Sequence, residues 1–184
     1  MSVYELLLLL HIISAIIWVG AATTYFGLEL RTDLSGDLER EASQADDAKW
    51  LAPRLFIPAS LATLVFGVLA AIEGNWNFGS LWLIIGLSGF GVSFATGIGY
   101  FEPEMKKLAA AIERGGAADP EVRRRTAALK MVGRLELAVL YVVVVSMVAK
   151  PTGDDGELLV VLALTLAAAV AGAFMWRRRI SVSA

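Results

Sequence analysis

Long apolar stretches, broken by few charged residues, constrain this chain more than any other feature. Five of them occur, at about residues 3–30, 55–72, 81–101, 131–149 and 158–176. An apolar helix needs roughly 20 residues to cross a bilayer core of about 30 Å, at about 1.5 Å of rise per residue. Each stretch is near or above that length, so the expected fold is all-α: a polytopic transmembrane helix bundle of about five spanning helices. A hydrophobic share of 57% exceeds the roughly 45–50% of soluble domains, and 184 residues suit a single membrane domain. The N-terminal Met1-Ser2-Val3-Tyr4-Glu5 lacks the positive region of a secretory signal, so the first stretch reads as a retained spanning helix.

Between the spans the sequence carries its turn signals. Residues 31–49 are polar and helix-compatible. Pro58 falls in the first turn expected of the second span, where a missing N–H costs little. After the third span, Met105, Leu108 and Ile112 recur at helical spacing, and Pro103 is placed to kink the junction. Gly115-Gly116 ends that segment. Asp119-Pro120 then reads as N-cap and first residue of the fourth helix, which enters the membrane near Met131.

Charge sets the expected orientation. Arg31, Arg40, Lys49 and Arg54 follow span one; Lys106, Lys107, Arg114, Arg123, Arg124, Arg125 and Lys130 follow span three; Arg177, Arg178 and Arg179 follow span five. With five crossings all three groups share one face, and the other face holds only Lys150 among bases. The positive-inside rule then puts the N-terminus outside and the C-terminus in the cytoplasm. Trp76 and Trp82 fit an outer aromatic belt and Trp176 an inner one.

Few residues could carry chemistry. No cysteine is present, which excludes disulfides, thiolate nucleophiles and iron–sulfur clusters. A net charge of −2 gives no footprint for nucleic acid. One histidine, His11, rules out a multi-histidine metal site within one chain. It sits two turns into span one, where an imidazole either bonds across helices, relays protons or ligates a metal such as haem iron. Trp18 and Tyr25 follow it at intervals of seven residues, about two turns, on one stripe with Thr23 and Thr24 nearby. Arg134 and Glu136 are the intramembrane charges. Two positions apart, they do not face each other. Arg134 is near enough to the inner end to snorkel; Glu136 is deeper and should be paired, protonated or turned into the bundle. Arg54 and Arg31 are its candidate partners, with Glu29 and Glu102 at the same inner ends. Tyr100, Tyr141, Met131 and Met147 read as packing residues, the methionines doubling as candidate soft ligands.

Gly89, Ser93 and Gly97 repeat every four residues on span three and make one face smooth. Such a face serves close helix packing, a homo-oligomer or membrane-partner contact, or the seat of a flat cofactor. Ala167/Ala171 and Ala168/Gly172 repeat the spacing on span five.

The run Leu10-His11-Ile12-Ile13-Ser14-Ala15-Ile16-Ile17-Trp18-Val19-Gly20 resembles the first helix of a group of small bacterial membrane proteins. That group includes the HemJ-type protoporphyrinogen oxidases, the CopD-type copper-resistance domain and a related family of predicted integral membrane proteins of unknown function. Arg54-Leu55-Phe56-Ile57-Pro58 and Val148-Ala149-Lys150-Pro151 resemble HemJ as well, so the likeness covers about residues 1–151. It implies a four-helix unit in a bacterial plasma membrane, with haem b on the first-helix histidine, His11. It also implies a third-helix lysine after a Trp-Leu pair. Trp82-Leu83-Ile84-Ile85-Gly86 has none, which argues against protoporphyrinogen oxidase activity, and the lack of a second histidine argues against copper. Two functional expectations follow. One is a haem or other redox role, with His11 as axial ligand and Trp18, Gly89, Ser93 and Gly97 around the ring. The other is a non-enzymatic, transport-like or accessory protein using Arg134 and Glu136.

Overall fold

The computed structural model describes residues 1–182, with side chains to residue 172. Trp176 and Arg177 to Arg179 lie outside the described side chains. Every regular element is helical: α1 (Val3–Ser35), α2 (Leu38–Leu51), α3 (Ile57–Glu73), α4 (Leu81–Thr96), α5 (Glu102–Gly115), α6 (Pro120–Ala149) and α7 (Gly156–Val182).

Among the described residues four continuous helices are long and apolar enough to cross a membrane, within Val3–Ser35, Leu38–Glu73, Leu81–Gly115 and Pro120–Ala149; a fifth is apolar over Gly156–Gly172. Two of them run further than the hydropathy limits 55–72 and 81–101. α2 passes into α3, and α4 into α5, through five-residue π turns at Ala52–Phe56 and Gly97–Phe101. The cause is proline. Pro58 and Pro103 have no N–H to give and would clash with the carbonyl four residues back. Immediately before each, the Ile57 and Glu102 amides reach back five residues, to the Ala52 and Gly97 carbonyls, which widens the helix and avoids a break. Pro103 therefore falls at the join where a kink is expected, and Pro58, in the first turn of α3, lies inside a longer continuous helix.

The termini are capped as their residues dictate. Ser2 Oγ accepts from the Glu5 amide at 3.2 Å while Glu5 accepts from the Ser2 amide at 2.7 Å, a reciprocal capping box. Asp119 caps α6 by accepting from the Glu121 amide at 2.7 Å, with Pro120 as first helical residue. Between α6 and α7, the Thr152 amide and hydroxyl both donate to Asp155, which holds that carboxyl below its ordinary range.

Two layers result. In the membrane layer α1 packs along α3, α4 along α6, and α6 also against α1 and α7. Ala70, Ala71 and Ser146 are wholly buried there, whereas Ile12, Ile16, Ile72, Val92, Val148 and Leu164 are open on the outside. A continuous apolar exterior of this kind belongs in lipid. Below it α2, α5 and the first half of α6 form a water-side cap with a small core of its own, made by Leu108, Ala111, Val122 and Leu129. Arg125 joins α6 to α5 through Glu104 at 2.7 Å. At the opposite end Tyr4, Trp76 and Trp82 stack edge to face, and Lys150 lies 4.9 Å and 5.1 Å from the two indole centroids. Lys150 adopts the left-handed conformation that ends α6, next to a fully buried Pro151. The Val148–Pro151 segment thus folds as a structural corner.

Candidate functional site

The strongest concentration of polar groups lies where the C-terminal half of α1 and the N-terminal half of α6 meet α2. Glu29 and Asp33 sit four residues apart on α1; Lys130 and Arg134 sit four apart on α6. Side chains four apart share a helix face. Because the two helices run antiparallel, an acidic pair and a basic pair are brought opposite each other. Lys130, only 6% exposed, donates to Asp33 at 2.6 Å and to Glu41 of α2. Arg134 donates to the other oxygen of Asp33 at 2.5 Å, its guanidinium 5.8 Å from the Phe26 ring centroid. Glu29 is buried among the charges of Lys130, Arg134, Asp33 and Glu41.

A hydrogen-bonded seam extends this junction. Gln44 of α2 donates to the Leu28 carbonyl at 2.9 Å and to the Thr32 hydroxyl at 2.7 Å, and Tyr25 donates to the Gln44 carbonyl at 3.0 Å. Three helices are therefore tied at one level by charged and amide groups largely shielded from water. Charge-assisted bonds in such surroundings are strong, and removing one partner strands the others.

Of this set the sequence marks Arg134, Glu29 and Tyr25; Lys130 reads as one of the cytoplasmic bases, and Asp33, Glu41 and Gln44 as part of the polar connection. The signal is in the sequence: matched i,i+4 pairs of opposite sign at the facing ends of antiparallel helices. Glu136 lies elsewhere. It faces Ser93 of α4 across the bundle, while Arg134 faces α1, so the two form no single site. The expected partner Arg54 does not reach Glu136. Its guanidinium lies 4.8 Å from the Trp50 ring centroid and donates to the Trp50 carbonyl at 3.2 Å, because the π turn carries it to the outside of the helix.

His11 faces α3. Its Nδ1 lies 2.8 Å from the Thr63 carbonyl oxygen. A carbonyl only accepts, so Nδ1 is the donor, which in the neutral ring leaves Nε2 its lone pair. The ring rests on Gly67, where a Cβ would come within 2.7 Å of Nδ1. Trp18 turns to α4, its ring 5.9 Å from Phe90, and Tyr25 turns to α2. The seven-residue stripe therefore fans across three neighbours, since each interval of seven falls about 20° short of two full turns.

The small residues of α4 differ in what they meet. A Cβ on Gly86 would lie 1.9 Å from the Met147 methyl, and one on Gly89 would lie 2.3 Å from Val143 Cγ2. Ser93 is buried, and Gly97 opens the π turn with free space beside it. At 86 and 89 the face is filled by α6, leaving no gap for a planar ring. For haem b, then, the imidazole is suitably arranged at His11, and the glycine face at 86–89 is closed. Thr23 and Tyr141 share a hydroxyl–hydroxyl bond of 2.9 Å, and Tyr100 packs in the cap core. Among the described residues no group of three or more acidic or histidine side chains is arranged to hold a metal ion.

No curated protein and no solved structure matches the chain. A family model, described as predicted integral membrane protein (DUF2269), matches residues 5–151, from the start of α1 to the corner after α6, and the chain belongs to that family.

Proposed function

We propose that this protein is a non-enzymatic, transport-like membrane protein whose working element is the ion junction of Asp33, Glu41, Lys130 and Arg134. One observation carries the reading: Lys130 is buried and shared by two carboxylates, one of which also holds Arg134. Ionisable groups at membrane depth are costly, and those that persist commonly mark ion or proton paths. Glu29 lies beside the junction as a further ionisable group. The three basic segments belong on the cytoplasmic side of a bacterial plasma membrane under the same reading, which places the junction at its inner edge with the N-terminus outside.

The test is cation uptake by proteoliposomes. Purified protein is reconstituted with a pH-sensitive dye inside, and a potential is imposed with valinomycin. The expected result is proton entry several-fold above protein-free vesicles, lost in Glu41→Gln and in Asp33→Asn. Entry equal to that of empty vesicles contradicts the transport part; entry unchanged by both substitutions contradicts the role of the junction.

His11 supports a second reading, haem b binding. A metal-bound histidine commonly donates its other ring N–H to a carbonyl, as Nδ1 does here to Thr63. His11 would be the axial ligand, and the ring would lie away from Gly86 and Gly89. A Soret band in protein purified from haem-supplemented cells, absent in a folded His11→Ala variant, is the expected result. A colourless preparation of native fold excludes it.

A further inference from the structure

A groove of about 470 Å³ opens on the membrane side of α6, between α1 and α7. Small or apolar side chains line most of it, among them Leu137 and Ala138 on α6 and Ala169 and Gly172 on α7. Its α6 wall runs from Met131 to Tyr141, about 15 Å of helix at about 1.5 Å of rise per residue. That is half of a hydrocarbon core of about 30 Å, the depth of one leaflet. Arg134 lines the groove near its inner end, fixed by Asp33 and Phe26. The walls α1 and α6 belong to the family-matched segment, whereas α7 begins after it, so the groove exists because α7 is added to the four-helix unit.

We infer that this groove is a binding site for one phospholipid, which lays an acyl chain along Leu137, Ala138 and Ala169 and sets its phosphate at Arg134. Length decides for a lipid chain over a transmembrane helix: the groove covers one leaflet only. A guanidinium held in place matches phosphate geometry. The site shares Arg134 with the junction but does not depend on transport; its assignment to the inner leaflet follows the orientation proposed above.

Native mass spectrometry tests this. Delipidated protein in detergent is incubated with dioleoylphosphatidylglycerol or with uncharged dioleoylglycerol. Wild type should hold one phosphatidylglycerol per chain at collision energies that strip other adducts. Ala138→Phe and Ala169→Phe, on different helices, should each lower that occupancy about tenfold, while Ala167→Phe on the exposed side of α7 leaves it unchanged. If one filling variant fails to fold, the other still decides. Arg134→Gln should reduce the preference for phosphatidylglycerol over dioleoylglycerol several-fold. Equal adducts in the filling variants and the Ala167→Phe control overturn the site, as does a dimer mass in place of the lipid adduct, which would give the groove to a second copy. Loss of proton entry with the adduct retained counts against the junction alone; loss of the adduct with entry retained counts against the groove alone.

Discussion

Lys130→Met is expected to lower the unfolding temperature in detergent by on the order of 10 °C. The methionine replaces the stem and deletes the ammonium, leaving Asp33 and Glu41 facing each other with one fewer base between them. Removing one partner of a buried ion pair typically costs about 3–5 kcal/mol, because the stranded charge has no water to turn to. For a chain of this size roughly 2–4 °C accompany each kcal/mol. Lys106 is the internal control. It pairs with Glu102 at 2.7 Å, a similar distance, but its side chain is 73% exposed. Exposed pairs contribute about 0–1 kcal/mol, so Lys106→Met should shift the transition by no more than a few degrees. Equal effects at the two lysines would mean that the junction is solvated and holds nothing together.

Gly89→Ala should be the most damaging of the small substitutions. Its Cβ would sit 2.3 Å from Val143 Cγ2. Valine is stiff about χ1, so the methyl cannot swing aside and α4 must retreat from α6. Overpacking of this kind costs about 1–3 kcal/mol, and Gly89→Leu should leave no folded monomer. Gly86→Ala makes the contrast. Its nominal clash is closer, 1.9 Å, yet the atom met is the terminal methyl of Met147, which has three torsions with which to move away. The milder loss is therefore predicted at the shorter distance. Val143→Ala should rescue Gly89→Ala in the double variant. Thermal unfolding of wild type, Gly86→Ala, Gly89→Ala, Val143→Ala and the double variant checks the pattern; a neutral Gly89→Ala, or no rescue, contradicts close packing of these helices.

Much of the architecture was legible in the residues because the bilayer leaves the backbone few options. A stretch such as 131–149 has to satisfy its amides internally, so hydropathy alone predicts a helix. Asp119-Pro120 and Gly115-Gly116 marked their ends through local chemistry that does not depend on partners. The continuation of α4 into α5 was legible in the helical spacing of Met105, Leu108 and Ile112; the join of α2 to α3 was not. A π turn that absorbs Pro58 depends on what the rest of the helix gains by continuing. The site divided along the same line. His11, Arg134 and Glu136 stood out because each interrupts an apolar run. Asp33, Glu41 and Lys130 did not, since each lies among other charged residues whose ordinary fate is hydration. Only the antiparallel contact of α1 with α6, and α2 folding back under both, removes water from these three. Gly89 illustrates the intermediate case: its spacing announced a close approach, but Val143 as the occupant followed from the fold.

The junction of α1, α2 and α6 is the centre of this account, and the coupling between Lys130 and Glu41 measures it most directly. Glu41 has Lys130 as its ion-pair partner among the described residues, which makes the pair suitable for a double-mutant cycle. Equilibrium unfolding in mixed micelles would compare wild type, Lys130→Met, Glu41→Leu and the double variant. A coupling energy of about 1–3 kcal/mol is predicted, the double variant being less damaged than the sum of the single ones. Additivity within about 0.3 kcal/mol would show that the two side chains do not meet in the membrane-bound protein, and the junction would have to be abandoned.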